Sequence, residues 1–162
     1  MYIISCDIRI FIMDFDTAVM KFWQEFGDHR LMVLSASLDN IVTSRMMSVV
    51  AIDRNLYFQT DTQSGKYAQL KGNPHAALCI DNIQMQGICT ETGHPAEDPA
   101  FCALYEKSYP GSFKRYTNLK SERLFRFEPS FIERWVYLEG EPYVETMDIS
   151  RQVYTLRKYA ID

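Results

Sequence analysis

Polar turn signals interrupt the middle of the chain at short, nearly regular intervals, and this spacing constrains the fold more than any other feature of the sequence. Asp39-Asn40, Asp53-Arg54-Asn55 and Asp81-Asn82 each separate segments rich in apolar and β-branched residues. Such segments joined by two or three polar residues are typical of antiparallel strands connected by hairpins. The sequence therefore predicts an antiparallel arrangement rather than a doubly wound parallel sheet.

Helical patterns and further strands surround this central region. Apolar residues at helical spacing and cap signals predict helices, and alternating segments predict strands. The predicted helices are 16–26, 64–70, 99–108 and 149–159, and the predicted strands are 30–37, 41–52, 56–60, 75–80, 83–92, 123–127 and 131–137. Short antiparallel strands with helices between them predict a mainly β fold with flanking helices, in the form of a closed or partly closed barrel.

The chain contains no linker that would divide it, so we expect residues 1–162 to form a single domain. A second methionine, Met13, directly precedes the acidic helix start Asp14-Phe15-Asp16. We therefore expect the native start to be Met13 and residues 1–13 to contain an N-terminal extension. The first thirteen residues lack the basic region and the small-residue cleavage site of a signal peptide.

Composition excludes several classes of function. The net charge is −4 and the 17 lysines and arginines are scattered, so no basic stripe is available for nucleic acid. The four cysteines form no C-x-x-C pair, and their spacing to the three histidines fits no metal site. We expect a cytoplasmic protein with reduced cysteines and with no metal, no nucleic-acid partner and no membrane segment.

The middle third of the chain combines two cations with a hydroxyl-rich loop that opens a helix. Arg45 lies inside a predicted strand, and about fifteen residues later Thr60 begins a loop that leads to Ser64 and Lys66. A helix N-terminus offers free N–H groups and a partial positive charge, and a lysine in the first turn opposes that dipole unless an anion is near. This pattern favours a phosphate monoester site. A capped surface helix with a solvated lysine explains it equally well.

Taken together, these segments resemble the pyridoxamine 5′-phosphate oxidase-like family of FMN-binding split barrels. The likeness is carried by VTSRMM at 42–47, LYFQT at 56–60, SGK at 64–66 with QL at 69–70, and NPHAAL at 73–78. It is clearest over residues 30–93 and extends more weakly to residue 135. The resemblance implies a split β-barrel and a homodimer with two FMN sites at the subunit interface.

The resemblance also implies roles for individual residues. Arg45 and Lys66 match the two cations that bind the FMN phosphate. Thr60 and Ser64 match the hydroxyl positions of the same loop. The backbone around Met46 and Met47 is expected to lie along the isoalloxazine ring.

Two further residues are expected near the flavin by the same resemblance. Gln86 resembles a glutamine of a later strand that approaches the ring, although Gln84 points to the same face two residues earlier. Trp135 occupies a position where relatives carry an aromatic residue near the flavin edge. An ordinary strand position for either glutamine, and core packing for Trp135, remain the alternatives.

The sequence departs from pyridoxamine phosphate oxidases themselves at its C-terminus. Residues 151–158 lack the arginine and histidine pattern that binds the substrate phosphate in those enzymes, so vitamin B6 oxidation is not expected. The function predicted is that of an FMN-dependent oxidoreductase that uses reduced nicotinamide, NADH or NADPH, to reduce a small acceptor. The alternatives are a non-catalytic FMN-binding or stress-associated protein, a relative that binds deazaflavin or haem, and a barrel without cofactor. No histidine stands out as a haem ligand.

Overall fold

A computed structural model of the chain describes residues 13–160, so the predicted N-terminal extension lies outside the described residues except at Met13. The helices are α1 (Phe15–Phe26), α2 (Gly65–Gly72), α3 (Pro99–Ser108) and α4 (Pro110–Tyr116), with one 3-10 turn at Pro95–Glu97. The strands are β1 (His29–Leu38), β2 (Ile41–Ile52), β3 (Asn55–Asp61), β4 (His75–Ile80), β5 (Ile83–Gly93), β6 (Glu122–Leu138), β7 (Glu141–Asp148) and β8 (Val153–Lys158).

All strand pairings are antiparallel, and six of the strands close into a barrel. The order is β3-β2-β1-β4-β5-β6-β7-β8, and β3 also pairs with β6. The second pairing joins the ends of the β1–β6 set, while β7 and β8 extend the sheet beyond β6. The predicted mainly β fold with flanking helices and a closed barrel is therefore confirmed.

The turns follow from residues that tolerate a positive φ angle. Asp39 and Asn40 have φ of 51° and 63°, and Asp53 and Arg54 have φ of 49° and 64°. Two consecutive residues of positive φ form the hairpin turn whose twist matches that of the flanking strands. These turns fix the register of β1, β2 and β3, and thereby the face to which each site residue points.

The barrel interior is filled by large apolar side chains. Phe58 of β3 and Phe125 of β6 stack with ring centroids 5.8 Å apart, and both are fully buried. Helix α1 begins at the N-cap Asp14 and contributes Phe22 and Phe26 to the same core. Helix α3 covers the outside of β2, where Phe101 and Tyr105 pack in a smaller cluster with Val50.

The second half of the chain departs from the prediction at two places. The predicted helix 99–108 is confirmed as α3, but a further helix that was not predicted, α4, begins at Pro110, because proline fits the first turn of a helix. Strands 123–127 and 131–137 are one continuous strand, β6, that passes through Pro129. A register shift at Gln86/Gly87 lies opposite this proline, and Gly87 has no side chain to collide with the backbone of Glu128. A bulge of this kind accommodates a residue that cannot donate to the ladder.

The predicted C-terminal helix at 149–159 is also wrong. Residues 141–148, left without a predicted element, form β7, and after a turn the chain returns as β8. Tyr154 and Leu156 of β8 are half-buried, whereas their neighbours Val153, Thr155 and Arg157 are exposed, so the side chains alternate as in a strand. No helix among residues 13–160 is long and apolar enough to cross a membrane.

Candidate functional site

A cleft opens where β2 runs past the N-terminus of α2. Met47 and Val49 of β2 point into the barrel core, and Arg45 lies on the same side of the strand, two residues before Met47. We name this opening the first cleft. It has a volume of about 400 Å³ and is lined by Thr43, Arg45, Ser64, Gly65, Lys66 and Gln69.

Local hydrogen bonds order the start of α2 on the other side of the first cleft. Ser64 is the N-cap residue, and its Oγ accepts a bond from the backbone N–H of Tyr67. The same Oγ lies 2.7 Å from the carbonyl oxygen of Asp61 and 3.0 Å from Oγ1 of Thr60. The loop therefore presents its hydroxyl groups and the first N–H groups of α2 at one place.

Gln69 holds the arginine in position. The Nη2 of Arg45 donates to Oε1 of Gln69 at 2.7 Å and also to Oγ1 of Thr43. Thr43 Oγ1 in turn lies 2.8 Å from the same Gln69 oxygen. Sequence reasoning missed Gln69 as a site residue, although its place three residues after Lys66 puts it on the same face of α2.

The first cleft lacks negative charge. Neither Arg45 nor Lys66 forms an ion pair with a carboxylate of residues 13–160. The Nη1 of Arg45 is buried and has no hydrogen-bond partner among residues 13–160. Burial lowers the pKa of Arg45, and burial together with the charge of Arg45 lowers the pKa of Lys66. Two partly desolvated cations that are near each other favour an anion as the missing partner.

A second cavity of about 360 Å³ adjoins the first cleft and shares Lys66 with it. Its wall combines apolar and aromatic groups with a few polar side chains. It is lined by Met46, Met47, Ser48, Gln59, Thr60, Asp61, Lys66, Tyr105, Ser112, Tyr116, Leu119 and Glu122. This composition is typical of sites that bind a flat, largely apolar group with a small number of polar contacts.

Glu122 is the unusual residue of the second cavity. Only 5% of it is exposed, and its Oε2 has no hydrogen-bond partner in the part of the chain that the structure describes. Burial, aided by the charge of Asp61, raises its pKa to about 7, and the charges of Lys66 and His94 oppose this shift. Sequence reasoning missed Glu122, because its burial depends on the pairing of β3 with β6, which sets Asp61 opposite Glu122.

The expected site residues fall into two groups. Arg45, Met46, Met47, Thr60, Ser64 and Lys66 surround the two adjoining cavities. Gln86 and Trp135 lie elsewhere in the chain. Gln86 is exposed on β5, which is separated from β2 by β1 and β4, and the 38%-exposed Trp135 packs against Tyr159 with ring centroids 4.7 Å apart. Gln84 is exposed on the same face as Gln86.

The cysteines and histidines form no metal centre within residues 13–160. No group of three or more histidine, cysteine, aspartate or glutamate side chains in this part of the chain could hold a metal ion. Cys89 is buried in the core, and this burial raises its pKa to about 12.

Solved structures similar to this chain share its fold. No protein-family model and no curated protein matches the sequence. A pyridoxamine 5′-phosphate oxidase-related, FMN-binding protein from Nostoc punctiforme has a TM-score of 0.59 and 18% identity, over 82% of this chain and 88% of that one. PhzG from Burkholderia lata has a TM-score of 0.59 and 13% identity, over 89% of this chain and 91% of that one.

A third similar structure is General Stress Protein 26 from Bacillus anthracis, with a TM-score of 0.53 and 23% identity, over 70% of this chain and 88% of that one. The resemblance noted from the sequence is confirmed at the level of the fold. The chain has the split-barrel fold of the pyridoxamine 5′-phosphate oxidase-related proteins. What the barrel binds has to be argued from its own residues.

Proposed function

We propose that the protein binds FMN, with the phosphate in the first cleft and the isoalloxazine ring in the second cavity, and that it acts as an oxidoreductase. The observation that carries the proposal is the buried, unpartnered Nη1 of Arg45 beside Lys66. A buried guanidinium nitrogen without an acceptor is costly, so a ligand anion that accepts its hydrogen bond would be bound favourably.

The donors around the first cleft suit a phosphate monoester. Arg45 and Lys66 supply the two positive charges that neutralise a dianion, and the arginine fork matches phosphate geometry. The first N–H groups of α2 have no partner within the helix and add the positive end of the helix dipole. The hydroxyl of Ser64 lines the same cleft.

The second cavity suits the ring because it continues directly from the first cleft through Lys66. Met46 and Met47 line it from β2, and methionine side chains adapt to flat aromatic surfaces. FMN, when bound, supplies the capacity to accept and pass on a hydride. The chain's own residues position the ring, exclude water from it and offer Glu122 and Tyr105 as polar contacts.

A homodimer would bring a second set of residues to the site. The outward positions of β1, β2, β4 and β5 carry no lysine, arginine, aspartate or glutamate. They include Leu31, Val33, Ser35, Ser37, Val42, Ser44, Met46, Ser48, His75, Ala77, Cys79, Gln84, Gln86, Ile88 and Thr90. We name this the uncharged face. Two large apolar side chains on this face are exposed, Met46 by 61% and Val42 by 67%. Few charged residues and exposed apolar side chains are features of surfaces that pack against a partner.

On this proposal Gln86 and Trp135 contact the flavin bound to the partner subunit. Gln86 lies on the uncharged face, separated from β2 by the two strands β1 and β4, and therefore meets a site built around Arg45 only across an interface. Sedimentation of the wild type and of a Val33→Glu variant tests this arrangement. A wild-type dimer together with a monomeric Val33→Glu variant supports the arrangement, because the glutamate would place a charge in the interface. A wild-type monomer with bound FMN contradicts it.

Reconstitution tests the function. Purified protein is mixed with FMN, freed of excess ligand and measured for bound flavin, and then NADH or NADPH is added without oxygen. We expect one FMN per chain and bleaching of the flavin by one of the two nucleotides. Bound flavin that neither nucleotide reduces would identify a carrier or a different electron donor, and absence of bound flavin would overturn the proposal. Lys21→Ala, an exposed change on α1, serves as the control and should bind FMN and respond to the nucleotides like the wild type.

A further inference from the structure

Two side chains of the second cavity, Gln59 and Glu122, each have a buried polar atom without a partner in the described chain, and Glu122 is the one that can titrate. The Oε2 of Glu122 is buried and makes no hydrogen bond within residues 13–160, and the side chain lines the cavity. Glu122 begins β6, where its backbone N–H is bonded to the carbonyl oxygen of Leu119 at 3.0 Å. The backbone that carries the carboxyl is therefore held at the wall of the cavity, at the start of a strand.

We propose that the carboxyl of Glu122 keeps its proton and donates it in a hydrogen bond to an acceptor atom of the flat ring that occupies the second cavity. This inference rests on the proposed function, because it takes that ring to be the isoalloxazine of FMN. The carbonyl oxygens and unprotonated nitrogens of that ring are suitable acceptors. Glu122 is then a residue that contacts and orients the cofactor.

The surroundings favour the neutral form of the carboxyl. The titratable groups that face it are Asp61 on β3, Lys66 on α2, His94 after β5, Tyr105 on α3 and Tyr116 on α4. Asp61 is negatively charged and lies opposite Glu122 on the neighbouring strand, so a second negative charge beside it is unfavourable. Lys66 is the nearest source of compensation, and it also lines the first cleft.

Occupation of the first cleft strengthens this preference. A phosphate dianion bound to Arg45 and Lys66 neutralises the positive charge that Lys66 otherwise offers to Glu122. The pKa of the carboxyl, already raised by burial, is expected to rise further when the ligand binds. A protonated carboxyl is a donor, whereas an ionised one could only accept, so the two forms make opposite contacts with the ring.

The test measures the FMN dissociation constant by flavin fluorescence at pH 6 and pH 8 for the wild type, Glu122→Gln and Glu122→Leu. Glutamine donates a hydrogen bond at both pH values, and leucine does so at neither. We expect wild type and Glu122→Gln to bind alike at pH 6, with Glu122→Leu weaker by about two- to tenfold. At pH 8 the wild type should bind about tenfold more weakly than Glu122→Gln. The reason is that the carboxyl of Glu122, which titrates near pH 7, is mostly ionised at pH 8 and must take up a proton before it can donate to FMN.

The second ionisation of the phosphate, near pH 6, affects all three proteins equally and cancels in the ratios. Glu106→Gln, an exposed change on α3, is the matched control and should bind like the wild type. A ratio of wild type to Glu122→Gln that stays constant or moves the other way with pH overturns the inference. So does a Glu122→Leu variant that binds as tightly as Glu122→Gln at pH 6.

A measurement on the wild type alone covers the case in which a variant does not fold. Calorimetric titration with FMN at pH 7.5, in buffers of different ionisation enthalpy, counts the protons exchanged on binding. We expect net proton uptake, and zero uptake or release overturns the inference. If the wild type binds no FMN at any pH, the proposed function itself fails, and this outcome is distinct from binding without proton uptake.

Discussion

The two adjoining cavities share Lys66 but differ in the kind of chemistry that they lack. The first cleft is lined by polar groups and two cations, and it lacks an anion. The second cavity is lined largely by methionine, tyrosine and leucine side chains, and two of its buried polar atoms, Nε2 of Gln59 and Oε2 of Glu122, have no hydrogen-bond partner within residues 13–160. A ligand with a charged end and a flat, mostly apolar end satisfies both. The difference teaches that β2 and the start of α2 supply the charge recognition, and that α3, α4 and the start of β6 add the groups that enclose a ring beside them.

The largest expected effect comes from removing the cations of the first cleft. Arg45→Ala combined with Lys66→Ala should weaken FMN binding by about 3–6 kcal/mol, because two charge-assisted hydrogen bonds are lost at about 1.5–3 kcal/mol each. Binding of riboflavin, which has no phosphate, should change far less. Fluorescence titration with both ligands measures this contrast. Unchanged FMN affinity in the double variant would show that the phosphate binds elsewhere.

The second cavity makes a prediction about stability and pH. Glu122 has a pKa of about 7 in the folded protein and an ordinary value near 4.5 when unfolded. Between these values the unfolded chain loses the proton that the folded chain keeps, so stability falls as the pH rises from 4.5 to 7. Glu122→Gln removes this loss and should stabilise the protein without ligand by up to about 3 kcal/mol above pH 7.

Urea denaturation at pH 4.5 and pH 8 measures this change in the free energy of unfolding. The two proteins should be nearly equal in stability at pH 4.5, where the carboxyl is protonated in the folded state and still half protonated in the unfolded one, a difference of only about 0.4 kcal/mol. Glu106→Gln serves as the control, because Glu106 is exposed. A stabilisation of the same size at both pH values would rule out the titration of Glu122 as its cause.

A smaller effect is expected at Gln69, which contacts Arg45 and not the second cavity. Gln69→Ala removes one acceptor of the guanidinium and should weaken FMN binding by about 0.5–1.5 kcal/mol, since the arginine is less well positioned. Riboflavin binding should not change. The same titration measures it, with Gln63→Ala in the preceding loop as the matched control. Equal losses for FMN and riboflavin would assign Gln69 to the general stability of α2 instead.

The sequence predicts the residues of the first cleft better than those of the second cavity. Arg45, Ser64 and Lys66 could be recognised because strand and helix-start patterns are local, and β2 and α3 were predicted with the bounds that they have, 41–52 and 99–108. Glu122 could not be recognised, since a glutamate at the start of a strand is usually solvated and only the pairing with β3 buries it.

The errors in the fold have the same origin. Apolar residues at 149, 153 and 156 repeat at helical spacing, but the chain there pairs with β7 along its whole length as β8. The gain from backbone pairing and from burying Tyr154 and Leu156 against the barrel overrides the local pattern. The sequence predicts a break between strands 123–127 and 131–137, and the register shift at Gly87, opposite Pro129, explains why β6 continues.

The most direct test compares the wild-type affinities for FMN and riboflavin, with inorganic phosphate as a competitor. If the cation pair of the first cleft binds the phosphate and the second cavity binds the ring, FMN should bind at least about tenfold more tightly than riboflavin, by 1.4 kcal/mol or more. Phosphate should weaken FMN binding and leave riboflavin binding unchanged. Equal affinities for the two flavins, with no effect of phosphate, would contradict the assignment of Arg45 and Lys66.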